Sequence, residues 1–116
     1  MHPRRLVRLN ELILQTVSEA TLDLKDPGLG FITITGAELS PDVSVARIFY
    51  SVLGTAEQRA ETAAALDRAK SYVRSQVGKL ENLRRVPQIA FTYDDTIERA
   101  DRVNKIFNKL QDEENV

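Results

Sequence analysis

Five residues between Lys70 and Arg85 are cationic, and they are the side chains of this chain best suited to binding a charged partner. Glu81 is the one anionic residue among them, so this stretch has a local charge of +4 in a chain whose net charge is -1. Such a patch favours a phosphate-bearing partner. Cations also stabilise the negative C-terminal end of a helix, and Arg84 and Arg85 precede Pro87, where a helix would end. Charge alone leaves both interpretations open.

Residues for catalysis or metal binding are scarce. The chain has no cysteine, and its one histidine is His2, so thiolate sites are excluded and imidazole metal sites are disfavoured. Asp94 and Asp95 could serve acid–base chemistry, but Asp95 followed by Glu98 is typical of a helix N-cap. The glycine-containing loop 25–30 has the spacing of neither phosphate-binding fingerprint. We therefore expect no enzyme activity, metal, cofactor or small-molecule substrate.

The composition is that of a soluble globular protein. The 116 residues are 42% apolar and 28% charged, which suits one domain with a core of its own. No apolar run is long enough for a membrane span, and the N-terminal segment lacks the apolar core of a secretory signal. We expect a cytoplasmic protein without a membrane partner, with a single domain over residues 1–110 and a short polar tail over 111–116.

Apolar periodicity predicts six secondary-structure elements in an α+β domain. A three-stranded sheet with helices on one face would bury the apolar stripes, and its first two strands would form an antiparallel hairpin. Gly36 is the expected site of a bulge. The predicted elements are a helix over residues 3–24, strands over 31–39 and 43–53, a helix that begins after Thr55, a strand over 88–93 and a helix over 96–110.

The sequence predicts the start of the helix after Thr55 but leaves its length open. Thr55 and Gln58 have the spacing of a capping box, which predicts where this helix starts. Ser71 and Gly78 weaken its second half, because serine can bend a helix and glycine disfavours one. The pattern leaves open one long helix to about Arg85 or two helices, since one apolar stripe continues through Ala63, Leu66, Val73, Val77 and Leu80.

Two strings of residues resemble the bacterial ribosome-binding factor A family. They are Lys25-Asp26-Pro27 followed by Leu29-Gly30, and Leu83-Arg84-Arg85-Val86-Pro87 followed by the aromatic strand that ends in Asp94. The resemblance covers nearly the whole chain. It implies a KH-like domain of the second topological type, in which a helix–kink–helix replaces the usual RNA-clamping glycine loop. The kink would lie at Ala69, Lys70 and Ser71, with serine where the family has glycine.

The resemblance also implies a function. Members of the family bind the free small ribosomal subunit, assist late maturation of its ribosomal RNA and leave before translation, a role associated with growth in the cold. We expect a monomer that contacts RNA phosphates through cationic side chains, with two small residues that permit close backbone approach. The predicted RNA-binding residues are Arg4, Arg5, Arg8, Lys70, Arg74, Ser75, Gly78, Lys79, Arg84 and Arg85.

The alternative is a KH-like protein-interaction module that makes no direct contact with RNA. Such a module would use the uncovered face of the sheet or an open strand edge. Arg47, in the middle of the second strand, could face either RNA or water.

Overall fold

The computed structural model describes residues 3–81 and 83–114, and it confirms the predicted order of elements. A single 3-10 turn follows the first helix. The elements are α1 (Pro3–Leu22), the 3-10 turn (Pro27–Leu29), β1 (Phe31–Leu39), β2 (Val45–Leu53), α2 (Ala56–Val77), β3 (Gln88–Tyr93) and α3 (Thr96–Glu114).

The three strands form a mixed sheet with β2 in the centre. β1 pairs with β2 in antiparallel fashion, as predicted for the hairpin, and β3 pairs with β2 in parallel. The register shifts between Ile34 and Gly36, so Thr35 is the extra residue of a bulge beside the predicted glycine. The Thr35 hydroxyl donates a hydrogen bond of 2.8 Å to Asp94 Oδ2. The bulge therefore ties the edge strand β1 to the end of β3.

One face of the sheet is covered by α1 and α2 over two hydrophobic clusters. The first cluster holds the predicted stripe of α1, with Leu9, Ile13 and Val17 almost fully buried, together with Val73 and Val77 of α2. The second lies under the first half of α2 and contains Leu29, Tyr50, Val52, Ala65 and Leu66. Because α2 contributes to both clusters, it joins the two halves of the core.

Helix α2 is one α-helix of 22 residues, and a kink within it stays a prediction. It continues without a break through Ala69, Lys70 and Ser71, because its buried residues already form one unbroken stripe. The capping box at Thr55 and Gln58 is confirmed. The buried residues of α2 are Thr62, Ala65, Leu66, Ala69, Val73 and Val77.

The prediction that this helix reaches Arg85 is wrong. The helix ends at Val77, where Gly78 is the C-cap and its N–H donates to the Arg74 carbonyl. Glycine raises the free energy of a helix interior by about 1 kcal/mol relative to alanine, so the chain leaves the helix at this point. Arg84 and Arg85 consequently lie on the irregular connection to β3 rather than in a last helical turn.

Helix α3 does not bury the apolar stripe that its sequence predicts. Val103, Phe107 and Leu110 are all more than half exposed, and Ala100 is exposed as well. The side chain of Ile97, the other residue of that stripe, lies outside the described residues. Helices α1 and α2 already cover that face of the sheet, so α3 does not pack on it. The radius of gyration is 17.6 Å, whereas a compact domain of 100 residues has about 13 Å.

The helix also continues into the predicted polar tail. Residues 111–114 are helical, and 115 and 116 lie outside the described residues.

Candidate RNA-binding surface

Three of the predicted RNA-binding residues, Arg5, Arg84 and Arg85, line one open groove of about 420 Å³. Arg5 comes from the first turns of α1, and the other two come from the connection between α2 and β3. The loop between β1 and β2 supplies a third wall. We call this site the arginine groove, and its lining residues are Arg5, Pro41, Asp42, Val43, Leu83, Arg84 and Arg85.

Hydrogen bonds hold the β1–β2 loop in a fixed shape. Asp42 Oδ1 accepts from the Ser44 hydroxyl at 2.6 Å, the Ser40 hydroxyl at 2.8 Å and the Ser44 N–H at 3.1 Å. Ser40 N–H donates to the Val45 carbonyl at 2.8 Å. The Ser44 and Ser40 hydroxyls, the Ser44 N–H and the charge of Arg85 lower the pKa of Asp42 to about 2. The groove therefore contains a carboxylate that is ionised at neutral pH.

Val43 has an unusual backbone conformation within this loop. Its φ is 63°, in the left-handed region that β-branched residues rarely adopt. The side chain is only 9% exposed and belongs to the first hydrophobic cluster. Packing of Val43 into the core thus holds the strained backbone in place beside Asp42. Such strain persists where the surroundings fix it, and it is common at ligand sites.

Arg74 and Gly78 hold the connection that carries Arg84 and Arg85. Arg74 is half-buried, and its guanidinium donates from Nε to the Pro87 carbonyl at 3.2 Å and from Nη2 to the Val86 carbonyl at 3.0 Å. A Cβ atom on Gly78 would lie 3.3 Å from a methyl group of Val86, which is tighter than ordinary packing. Both residues therefore have a positioning role within the chain, in addition to the RNA contact predicted for them.

The other predicted cations lie outside the groove. Arg4 and Arg8 line a shallow depression on α1 with Val7 and Glu11. Lys70 is exposed on α2, where its ammonium lies 2.9 Å from the Asp67 carboxylate.

Two further predicted residues lie at the end of α2. Lys79 is exposed just beyond it, and its Nζ is 3.4 Å from Gln76 Oε1. The Ser75 hydroxyl donates to the Tyr72 carbonyl of its own helix at 2.6 Å.

Among the described residues that line the groove, four were not predicted, namely Pro41, Asp42, Val43 and Leu83. The available signal was the string from Ser40 to Ser44, in which an aspartate is flanked by two serines within a turn. This pattern indicates a hydrogen-bonded loop. It does not indicate which cations lie opposite.

The glycine-containing loop after α1 has a structural role. Asp26 accepts hydrogen bonds from Gly28 N–H at 2.9 Å and, through both oxygens, from the Arg68 guanidinium at 3.0 Å. These donors, with Gly28 first, lower the pKa of Asp26. The loop is thereby fastened to α2.

One carboxylate of the pair after β3 caps α3, but it is not the predicted one. Asp94 accepts from the Thr96 N–H at 3.0 Å and from the Thr35 hydroxyl, whereas Asp95 pairs with Arg99 at 2.9 Å. Asp94 therefore takes the capping position that was predicted for Asp95. Hydrogen bonds from Thr96 and Thr35 lower the pKa of Asp94. Within residues 3–81 and 83–114, no group of three carboxylate or imidazole side chains is arranged to hold a metal ion.

A second polar cluster joins α2, β3 and α3. The Tyr93 hydroxyl donates to Glu98 Oε1, and the Arg59 guanidinium lies 5.5 Å from the centre of the Tyr93 ring. The hydrogen bond to Glu98 raises the pKa of Tyr93, and the same bond lowers the pKa of Glu98. This cluster anchors the first turn of α3. No helix among the described residues has the length and apolar character needed to cross a bilayer.

Comparison with known proteins places this arrangement in a family. Residues 5–107 match the family described as ribosome-binding factor A. A Halothermothrix orenii protein named ribosome-binding factor A is 37% identical over 115 residues, which cover 98% of this chain and 94% of the relative.

Solved structures show the same fold. One is the solution NMR structure of a Thermotoga maritima protein proposed to be a ribosome binding factor A, which is 39% identical in sequence. Its TM-score is 0.72, and the match covers 84% of this chain and 95% of that one. A homology model of Thermus thermophilus ribosome binding factor A, fitted into a cryo-EM map of a 30S complex, has a TM-score of 0.60 at 24% identity over 73% and 90% of the two chains. These neighbours have a KH-like fold, which confirms the predicted α+β, KH-like class.

Proposed function

The chain belongs to the ribosome-binding factor A family, and we propose that it binds the free small ribosomal subunit in the cytoplasm and assists late maturation of its ribosomal RNA. The observation that carries this proposal is the convergence of Arg5, Arg84 and Arg85 on one groove from two distant parts of the chain. Guanidinium groups bind phosphate oxygens through paired N–H donors. The 30S complex of the Thermus thermophilus relative supports the same partner.

The arginine groove is the proposed centre of the RNA contact. Arg4 and Arg8 extend the positive surface along α1, and Lys79 extends it from the end of α2. Arg74 supports this surface by holding Val86 and Pro87, which follow the two groove arginines directly. The protein acts in this proposal by binding and shielding RNA, without a chemical step of its own.

Charge reversal in the groove tests the proposal. The double variant Arg84→Glu/Arg85→Glu should bind purified small subunits at least tenfold more weakly in a sedimentation assay at low salt, since two phosphate contacts become repulsive. The matched control is Lys105→Glu/Lys109→Glu, which changes the net charge equally on exposed positions of α3. Equal binding by both variants would contradict the proposed surface.

A protein-interaction module is the second candidate, and a specific observation favours it. Phe31 and Leu53 are register partners at one end of the open sheet face, and both are about 80% exposed. Such a pair suits an apolar partner. This candidate expects binding that resists ribonuclease treatment of the subunits and changes little with salt, whereas the RNA-binding proposal expects binding to be lost after that treatment.

A further inference from the structure

The arginine groove contains more than a phosphate site requires. Its cationic rim would attract phosphate, but the ionised carboxylate of Asp42 lies in the same groove and repels it. Pro41 and Leu83 add apolar surface, which a phosphate does not use. A nucleotide fits all three features, because it combines a phosphate, an apolar base face and a base edge with N–H donors.

The two oxygens of Asp42 are used differently. Oδ1 accepts the three hydrogen bonds from Ser40 and Ser44 that shape the loop. Oδ2 accepts none from residues 3–81 and 83–114, although the residue is exposed in the groove. One oxygen therefore fixes the orientation of the carboxylate, and the other remains available to a donor on a ligand.

We propose that the arginine groove binds one unpaired RNA nucleotide, with the base against Pro41 and Leu83, its N–H edge on Asp42 Oδ2 and its phosphate on Arg84 and Arg85. This inference rests on the proposed function and names the RNA feature that the same surface recognises. A volume of about 420 Å³ lies within the usual range of small-ligand sites. Proteins that read unpaired bases combine stacking, arginine contacts and hydrogen bonds to the Watson–Crick edge in this way.

Guanine is the base that the groove favours. Its Watson–Crick edge places N1–H and N2–H donors side by side, so both donors can converge on the available oxygen, Asp42 Oδ2. Uracil has one such donor between two carbonyl oxygens, and Asp42 repels those oxygens. The loop needs little rearrangement to bind, since the hydrogen bonds of Asp42 and the core packing of Val43 already fix it.

Short oligonucleotides test the base preference. Fluorescence anisotropy with labelled UUUGUUU and UUUUUUU at low salt should show guanine-containing RNA bound about five- to tenfold more tightly, the range expected for one base contact. In Asp42→Asn an amide replaces the acceptor at nearly the same shape, so the two affinities should agree within about twofold. Equal affinities in the unaltered protein, or an unchanged preference in Asp42→Asn, would overturn the proposal.

Methyl NMR locates the base without any substitution. Addition of UUUGUUU to the unaltered protein should shift the methyl signals of Leu83, while those of Val103 and Leu110 on α3 serve as internal references. If the full chain co-sediments with small subunits but the methyl signals of Leu83 do not shift, the nucleotide site is wrong and the proposed function stands. If the full chain fails to co-sediment, the proposed function is wrong, and the methyl shifts still decide the nucleotide site.

Discussion

At the scale of single residues, the ten predicted RNA-binding residues separate into different roles. Arg5, Arg84 and Arg85 share the groove, whereas Arg74 and Gly78 hold its backbone and Lys70 is paired with Asp67. Residue type alone could not separate these roles, because an arginine that binds a carbonyl and one that faces solvent look alike in a sequence. For Arg74 the distinction depends on contacts with residues 12 and 13 positions away.

Removing the Arg74 side chain should destabilise the folded protein. Arg74→Ala breaks two hydrogen bonds and leaves the Val86 and Pro87 carbonyls without these donors, so we expect a loss of about 2 kcal/mol in the free energy of unfolding. Urea unfolding followed by circular dichroism measures it. Lys70→Ala is the control, because an exposed ion pair contributes less than about 1 kcal/mol. Equal losses would contradict the positioning role.

Asp42 should make the stability of the protein sensitive to acid. Its pKa of about 2 in the folded protein is below the ordinary value of 3.8, so its stabilising effect is complete above about pH 4 and is lost as the pH falls towards 2. In urea titrations between pH 4 and pH 2, Asp42→Asn should lose less stability than the unaltered protein. Asp112→Asn, on the exposed end of α3, should follow the unaltered protein. Parallel curves for all three proteins would contradict this assignment.

At the scale of elements, apolar periodicity predicted which faces are apolar but not what covers them. The stripes of α1 and α3 look equally regular, yet Leu9, Ile13 and Val17 are buried and Val103, Phe107 and Leu110 are exposed. The difference arises because the helices compete for one face of the sheet, and α1 and α2 fill the space over it. Periodicity indicated the α+β class, and the family resemblance supplied the KH-like topology. Local chemistry then fixed the ends of α2, through the capping box and Gly78.

Substitutions in α2 and α3 should therefore differ in their effect on stability. Leu66→Ala removes a fully buried side chain and should lower the free energy of unfolding by about 2–5 kcal/mol. Phe107→Ser changes a side chain that is 57% exposed on α3, so the loss should stay below about 0.5 kcal/mol. Thermal or urea unfolding of both variants gives the comparison. A large loss in Phe107→Ser would mean that the stripe of α3 is covered in solution.

At the scale of the whole molecule, the groove is assembled from three segments that are far apart in the chain. Arg5, the loop around Asp42 and the pair Arg84 and Arg85 are separated by roughly 40 residues each, so no local pattern could have joined them. The sequence showed that positive charge is concentrated in places despite a net charge of -1. The packing of α1 beside the β1–β2 loop and the α2–β3 connection shows which charges act together.

The binding of RNA should consequently depend on salt through a few contacts. If three arginines each neutralise one phosphate of single-stranded RNA, the logarithm of the association constant should fall by about 2 for each tenfold rise in salt. Anisotropy titrations with UUUGUUU at several salt concentrations measure this slope. Arg84→Glu should reduce its magnitude by about 1, and Lys109→Glu should leave it unchanged. A slope near zero in the unaltered protein would exclude phosphate contacts.

The unbroken course of α2 has a consequence for how the domain melts. Its first half packs on the cluster around Leu66 and its second half on the cluster around Val73, so the helix couples the two clusters. The two halves should lose their structure together in a single cooperative transition. The surface proposed to bind RNA would then be either wholly formed or wholly absent, with no half-open form in between.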